Sequence, residues 1–264
     1  MFIQISVILI LIHSLISGAM AQSPSEAVQA NKYQDCISEI SVDNEKALIR
    51  ARKWIVEGGA VAAQHCEAMA LFDQERFDEA AGLLENVGDK VAKGEGVGLF
   101  ASQNKEFLAV QLRYTAGKSW MSAGKPERAY NIYTVALMAI EDKSPLSYDL
   151  YIERALVQLS REEYLSAVDD LNQALGINAD KVDAFLFRAE AFRKMGEHVK
   201  ARLDINEGLI ISPNQPDLIF ESGVNYRMLR DNEKARNEWQ KLIEQYPGTH
   251  WQKLAEDNIE LING

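Results

Sequence analysis

The sequence predicts an all-α protein, a solenoid of about five helix-turn-helix repeats with a capping helix at each end. Alanines recur at 34-residue intervals, and each opens a similar block: Ala167, Ala201 and Ala235. Two more copies, separated by insertions, contain Ala80 and Ala129. A small residue also stands twelve positions before each aligned alanine, where two helices of a repeat would cross closely: Ala68, Gly117, Ala155, Ala189 and Gly223.

These blocks resemble the tetratricopeptide repeat, a helix-turn-helix unit of 34 residues with small residues at its helix crossing. The resemblance covers about residues 61–249. It implies a right-handed α-solenoid, in which each repeat buries one apolar stripe within itself and another against its neighbour. It implies nothing about chemistry.

The flanking segments are interpreted in chain order. Residues 1–21 contain no Asp, Glu, Lys or Arg and end in Ala-Met-Ala, which is typical of a secretory signal peptide. An uncleaved membrane anchor is the alternative. Residues 22–43 are predicted to be a polar segment, loose over 22–32. Residues 44–60 are predicted to form the N-terminal capping helix, stopped by Gly58-Gly59, and residues 250–264 the C-terminal one.

Glycines interrupt the pattern over residues 88–102. We interpret this stretch as a mobile loop, followed by a lengthened first helix of the second repeat that begins near Ser102.

The composition is that of a globular protein, with 47% hydrophobic and 25% charged residues. Asp and Glu (39) outnumber Lys and Arg (28), which gives a net charge of −11. An acidic chain of this kind is not expected to bind nucleic acid. We expect no membrane span once the signal peptide is cleaved.

The two cysteines, Cys36 and Cys66, are predicted to form a disulfide, because the chain is expected to be exported. Closing a loop of that size would stabilise the fold by roughly 3 to 4 kcal/mol. Unpaired thiols and a redox role are the alternatives. His65-Cys66-Glu67 is not expected to bind metal, because consecutive residues of a helix point in different directions.

No residues with the arrangement of a catalytic site stand apart from the repeats, so we predict no enzyme activity and no cofactor. Gly117-Lys118-Ser119 resembles the end of a phosphate-binding loop, but it lacks the required upstream glycine and lies in a repeat helix. Two pairs that recur in register, Arg154 with Asp170 and Arg188 with Asp204, are predicted to be ion pairs between the two helices of a repeat. Three aspartates also recur in register, and we expect them in the first turns of first helices: Asp149, Asp183 and Asp217.

In tetratricopeptide repeat proteins the first helix of each repeat lines a concave groove. The resemblance therefore implies a partner-binding groove that contains Tyr114, Lys118, Ile152, Leu156, Leu186, Arg193, Phe220 and Arg227. Its apolar middle with flanking cations would suit a peptide that carries an acidic group. The alternative is that the N-terminal segment or a neighbouring helix fills the groove.

We therefore expect a non-enzymatic exported scaffold that binds a protein or peptide partner in the bacterial periplasm. The stretch from Trp54 to Leu71 also resembles the N-terminal part of exported tetratricopeptide proteins of alphaproteobacteria. The alternative function is an auxiliary envelope protein that engages peptidoglycan, or the machinery of cell division or outer-membrane assembly. The sequence does not indicate the oligomeric state.

Overall fold

The computed structural model describes residues 24–96, 104–140 and 144–263, and every regular element in these ranges is an α-helix. In chain order they are α1 (Pro24–Ile40), α2 (Asn44–Val56), α3 (Ala60–Asp73), α4 (Phe77–Lys93), α5 (Lys105–Ser122), α6 (Pro126–Met138), α7 (Pro145–Ser160), α8 (Tyr164–Ile177), α9 (Val182–Lys194), α10 (His198–Ile211), α11 (Pro216–Met228), α12 (Asn232–Gln245) and α13 (His250–Asn263). The predicted all-α helical-repeat class is confirmed. The predicted signal peptide lies outside the described residues.

The chain divides into two compact units, the first ending at Gly124 and the second beginning at Lys125. Within each unit, helices that follow each other in sequence pack as antiparallel neighbours of a repeat solenoid would. Across the described ranges, no helix is both long and apolar enough to cross a membrane.

Helix α1 corrects the expectation of a loose polar segment over residues 22–32. It packs against both α2 and α3, as a first helix packs against its own second helix and the next first helix. Tyr33, Cys36 and Ile37 are buried on α1, against Trp54 of α2 and Cys66 of α3. Helices α1 and α2 thus form an additional helix pair ahead of the first predicted repeat.

The expected loop over 88–102 is also corrected in part. Helix α4 continues through Lys93, and a Cβ on Gly88 would lie 3.5 Å from side-chain atoms of Leu112 and Arg113 on α5. These are ordinary contact distances, so Gly88 is a buried residue inside α4 and does not break the helix. The helix ends at Gly94, whose backbone has a left-handed conformation. Residues 97–103, including Ser102, lie outside the described residues.

The small crossing positions are occupied as the repeat pattern requires. All five aligned alanines are fully buried, and so are Ala68, Ala155 and Ala189 at the positions twelve residues earlier. Gly223 shows the steric reason most clearly, because a Cβ there would lie 2.3 Å from the indole nitrogen of Trp239. The periodic small residues are thus a packing requirement of the helix pairs.

In the turn between the two helices of each predicted repeat, one residue at an equivalent position has a left-handed backbone conformation, with positive φ. Three of these positions carry a non-glycine residue and two carry glycine: Glu75, Glu162, Arg230, Gly124 and Gly196. In the repeats with Glu162, Gly196 and Arg230, the next residue donates its N–H to a carbonyl five residues earlier, the Schellman closure of a helix end. The turn geometry is therefore repeated even where glycine is absent.

The second unit is closed by α13, as predicted. Ala255, Ile259 and Ile262 of α13 pack against the cluster that contains Trp239 and Leu242 of α12. The last repeat therefore does not expose its apolar face, which a solenoid end must avoid.

The two predicted ion pairs form. Arg154 of α7 donates two hydrogen bonds to the carboxylate of Asp170 on α8, at 2.7 and 2.6 Å. Arg188 of α9 does the same to Asp204 on α10, at 2.8 and 2.7 Å. Each arginine also donates its third nitrogen to the second helix of the preceding repeat, to Thr134 and Asn172 respectively. One guanidinium thus joins three helices, which the sequence analysis did not anticipate.

The disulfide between Cys36 and Cys66 joins α1 to α3, with a Cα–Cα distance of 6.3 Å. Next to it, His65 is buried, and its Nδ1 lies 2.9 Å from the Tyr33 hydroxyl. Burial lowers the pKa of His65 to about 4 and raises that of Tyr33 above its ordinary value. The imidazole is therefore neutral at pH 7, in a dry contact between α1 and α3.

We expect Arg154→Ala to lower the free energy of unfolding by about 3 kcal/mol, because it leaves Asp170 buried without its counterion. Urea denaturation measures the change. Lys241→Ala is the matched control, since it removes an exposed pair with Glu238 and should cost less than about 1 kcal/mol. Equal losses in the two variants would show that the Arg154 pair is energetically an ordinary surface pair.

We expect the first unit to lose stability as the pH falls from 6.5 towards 4. Over that range the unfolded chain binds a proton at His65, which the folded state still excludes, at a cost of up to about 3 kcal/mol. Hydrogen exchange of α1–α3 amides at several pH values measures this loss. His65→Gln cannot titrate and should lose that component of the pH dependence; an unchanged pH dependence in the variant would assign the loss to other groups.

Candidate functional site

The candidate site of the second unit is a surface that we call the first-helix face. Helices α7, α9 and α11 are the first helices of consecutive repeats, and each packs against the next. Their equivalent positions, 34 residues apart, form three rows: Ile152, Leu186 and Phe220; Leu156, Glu190 and Val224; Leu159, Arg193 and Arg227. Except for buried Ile152, all nine side chains are half-buried.

The first of these rows is apolar in all three repeats. Ile152 is part of the α7–α8 core, with Leu156 and Leu159 packed against it. The Phe220 ring lies 6.3 Å from that of Trp239 and 6.1 Å from that of Trp251, measured between centroids. We call the row formed by Ile152, Leu186 and Phe220 the floor of the first-helix face. Its side chains pack against the core on one side and keep apolar surface exposed on the other, which is typical of a peptide-binding surface.

The two arginines of the predicted cationic flank both contact other side chains of the protein. Arg193 donates its Nε to Glu221 of α11, and both side chains are nearly buried. Burial raises the pKa of Glu221, an effect that Arg193 opposes. Arg227 donates to the Asn258 side chain at 3.3 Å. Arg193 is therefore neutralised by Glu221, whereas Arg227, bonded to a neutral amide, keeps its positive charge at this face.

Carboxylates line one end of the first-helix face, and we call Asp149, Asp183 and Asp217 the acidic rim. Desolvation raises the pKa of Asp183, and Asp149 and Asp217 raise it further, against the opposing effect of Lys181. Asp183 and Asp217 lie in the first turns of their helices as expected, whereas α7 begins at Pro145 and places Asp149 beyond its first turn. The rim favours a cationic group.

The two remaining predicted groove residues lie in the first unit, on α5. The Nζ of Lys118 lies 5.5 Å from the centroid of the Tyr114 ring. The Gly117-Lys118-Ser119 string is helical, with Gly117 buried and the Ser119 hydroxyl donating to the carbonyl of Thr115. The string therefore lies in a helix, as the sequence analysis expects.

His65-Cys66-Glu67 does not converge on one point. His65 contacts Tyr33, Cys66 is in the disulfide, and Glu67 accepts a hydrogen bond from Arg52 at 2.8 Å. Over the part of the chain that the structure describes, no cluster of three or more His, Cys, Asp or Glu side chains could hold a metal ion.

Two buried polar residues of α11 escaped the sequence analysis, Glu221 and Asn225. Asn225 donates to the backbone carbonyl of His198 at 3.1 Å, and its Oδ1 lies 3.2 Å from the His198 ring. A signal existed: the equivalent residues of the fourth repeat are Phe187 and Ala191, so both polar residues depart from the repeat pattern. They hold α11 against the preceding repeat.

Comparison with known proteins agrees with this geometry. A tetratricopeptide repeat family model matches residues 217–249, which include α11 and α12. Protein unc-45 homolog B of Danio rerio is 31% identical over 107 residues, a match that covers 40% of this chain and 11% of that protein. The match thus spans about a tenth of the length of that curated relative.

Two solved structures share the fold over most of the chain. A tetratricopeptide repeat protein from Parabacteroides merdae superposes with a TM-score of 0.68 at 16% identity, covering 88% of this chain and 87% of that one. YrrB, described as a TPR protein with an unusual peptide-binding site, superposes with a TM-score of 0.52 at 18% identity, covering 74% and 91%. At these identities the likeness concerns the fold alone. The chain thus contains a tetratricopeptide repeat at residues 217–249, in a fold that it shares with tetratricopeptide repeat proteins.

Proposed function

We propose that the protein is a non-enzymatic scaffold that binds an extended peptide or protein segment across the first-helix face. The observation that carries this proposal is the row formed by Ile152, Leu186 and Phe220, apolar in three consecutive repeats and only partly covered at its last two positions. The peptide-binding site that the description of YrrB names is consistent with such a use of the fold.

The charges beside this row suggest the chemistry of the ligand. Arg193 is paired with Glu221 and Arg227 donates to the neutral Asn258, whereas Lys181 is the cation bonded to the rim, to Asp149 at 3.2 Å. A segment with apolar side chains on the floor and a lysine or arginine near the acidic rim would suit these charges. This ligand replaces the acidic peptide that the sequence analysis expects.

We also propose that the protein is exported to the periplasm. The apolar segment before Gln22 and its Ala-Met-Ala site support export. The Cys36–Cys66 disulfide supports an oxidising compartment, where such bonds persist. In that compartment the ligand would be an exported protein or a segment of one.

We expect a peptide library displayed on phage and selected on the purified protein to yield apolar sequences that contain lysine or arginine. In fluorescence anisotropy, Leu186→Glu and Asp183→Lys should each weaken the selected peptides by at least about tenfold, through loss of floor and rim contacts. The controls are Asn237→Glu and Glu233→Lys on α12, which are exposed and should change the affinity less than about twofold.

An acidic consensus would contradict the proposed ligand, and equal binding by all four variants would place the site elsewhere. Retention on isolated peptidoglycan that Leu186→Glu does not change would favour the alternative function in the cell envelope.

A further inference from the structure

Helix α10 is apolar on the face that it turns to solvent. Val199, Leu203 and Ile210 are 61%, 58% and 73% exposed. Together with exposed Asn206 they are spaced four, three and four residues apart, so their side chains fall within about 60° of the helix circumference. This spacing is that of the seam between two packed helices. We call these four residues the outer stripe.

The repeats themselves provide the comparison. The positions of α12 that are equivalent to the outer stripe carry Glu233, Asn237, Gln240 and Glu244, all exposed. Those of α8 carry Leu165, Asp169, Asn172 and Gly176. Helix α12 thus forms with polar residues at all four positions, and α8 has an apolar side chain only at exposed Leu165, so the apolar residues of α10 are not needed for the packing of a repeat. A concentrated apolar stripe of this kind indicates a covering partner.

The charges beside the stripe indicate which partner. Lys200 near the start of α10 and Glu207 near its end lie on the same side of the stripe, and both are exposed. The ammonium of Lys200 also forms a solvent-exposed ion pair with Glu197, at 3.5 Å. If a second α10 packs antiparallel, Lys200 of each copy faces Glu207 of the other. In a parallel pair about a two-fold axis, this side of each helix would lie on opposite sides of the seam, so Lys200 and Glu207 could not pair. The surface is therefore self-complementary about a two-fold axis, the symmetry of most homodimers.

We propose that the outer stripe of α10 is a homodimerisation surface, on which a second copy of this chain packs its own α10 antiparallel. Val199 of one copy then lies opposite Ile210 of the other, and Leu203 lies opposite Asn206. The surface uses no residue of the first-helix face, so this proposal is independent of the proposed function.

Sedimentation velocity over a concentration series up to roughly 1 mM tests the dimer. The native chain should pass from monomer to dimer, and Leu203→Glu should raise the dissociation constant more than about tenfold, because it places two carboxylates in the seam. Asn237→Glu, at the equivalent position of α12, is the matched control and should leave the constant unchanged. Both side chains are exposed, so circular dichroism should show that both variants stay folded.

A charge exchange tests the antiparallel orientation. Lys200→Glu and Glu207→Lys should each weaken self-association by about fivefold to tenfold, whereas an equimolar mixture of the two variants should dimerise like the native chain. A monomer at all concentrations, or a dimer that Leu203→Glu does not affect, would overturn the surface. Failure of the mixture to recover would overturn the antiparallel pairing.

Discussion

The packing of the second unit depends on two arginines that each bind three helices. Arg154 and Arg188 extend from first helices, take a carboxylate of their own second helix in a bidentate pair, and reach the second helix of the preceding repeat. Because the guanidinium is planar and its donors are fixed, the contact sets both the spacing and the rotation of the helices. The positions of Ile152 and Leu186 on the first-helix face follow from it.

The fifth repeat cannot use this device, since Ser222 stands where an arginine would be needed. It is held instead by Trp239, whose indole fills the space that Gly223 leaves, and by the buried pair of Arg193 with Glu221. In this pair the positive charge of Arg193 is neutralised by Glu221, so it is not available to a ligand. The stability of the last repeat and the charge of the first-helix face are thus linked.

The sequence predicts the helix pairs because close crossings demand small residues at a fixed interval. It missed α1, although Tyr33, Cys36, Ile37 and Ile40 have helical spacing, because the surrounding residues are polar. It took Gly88 as a helix breaker, whereas Gly88 is buried inside α4. The pairing of Arg193 could not be predicted from the pattern of one repeat, because Glu221 lies 28 residues away in the next repeat. Contacts within one repeat were thus predictable from the sequence, whereas contacts between two repeats were less predictable.

In a repeat protein each residue can be compared with the residues at the equivalent position of the neighbouring repeats. Residues that follow the pattern, such as the buried alanines, serve the fold. Departures need another cause: Glu221 and Asn225 fix α11, and the outer stripe of α10 has no role in packing its own repeat. The outer stripe lies on a second helix, whereas the first-helix face is formed by first helices. Dimerisation through the outer stripe would therefore leave the first-helix face uncovered. Two faces in one assembly would let a partner with two suitable segments bind the second at a high effective concentration.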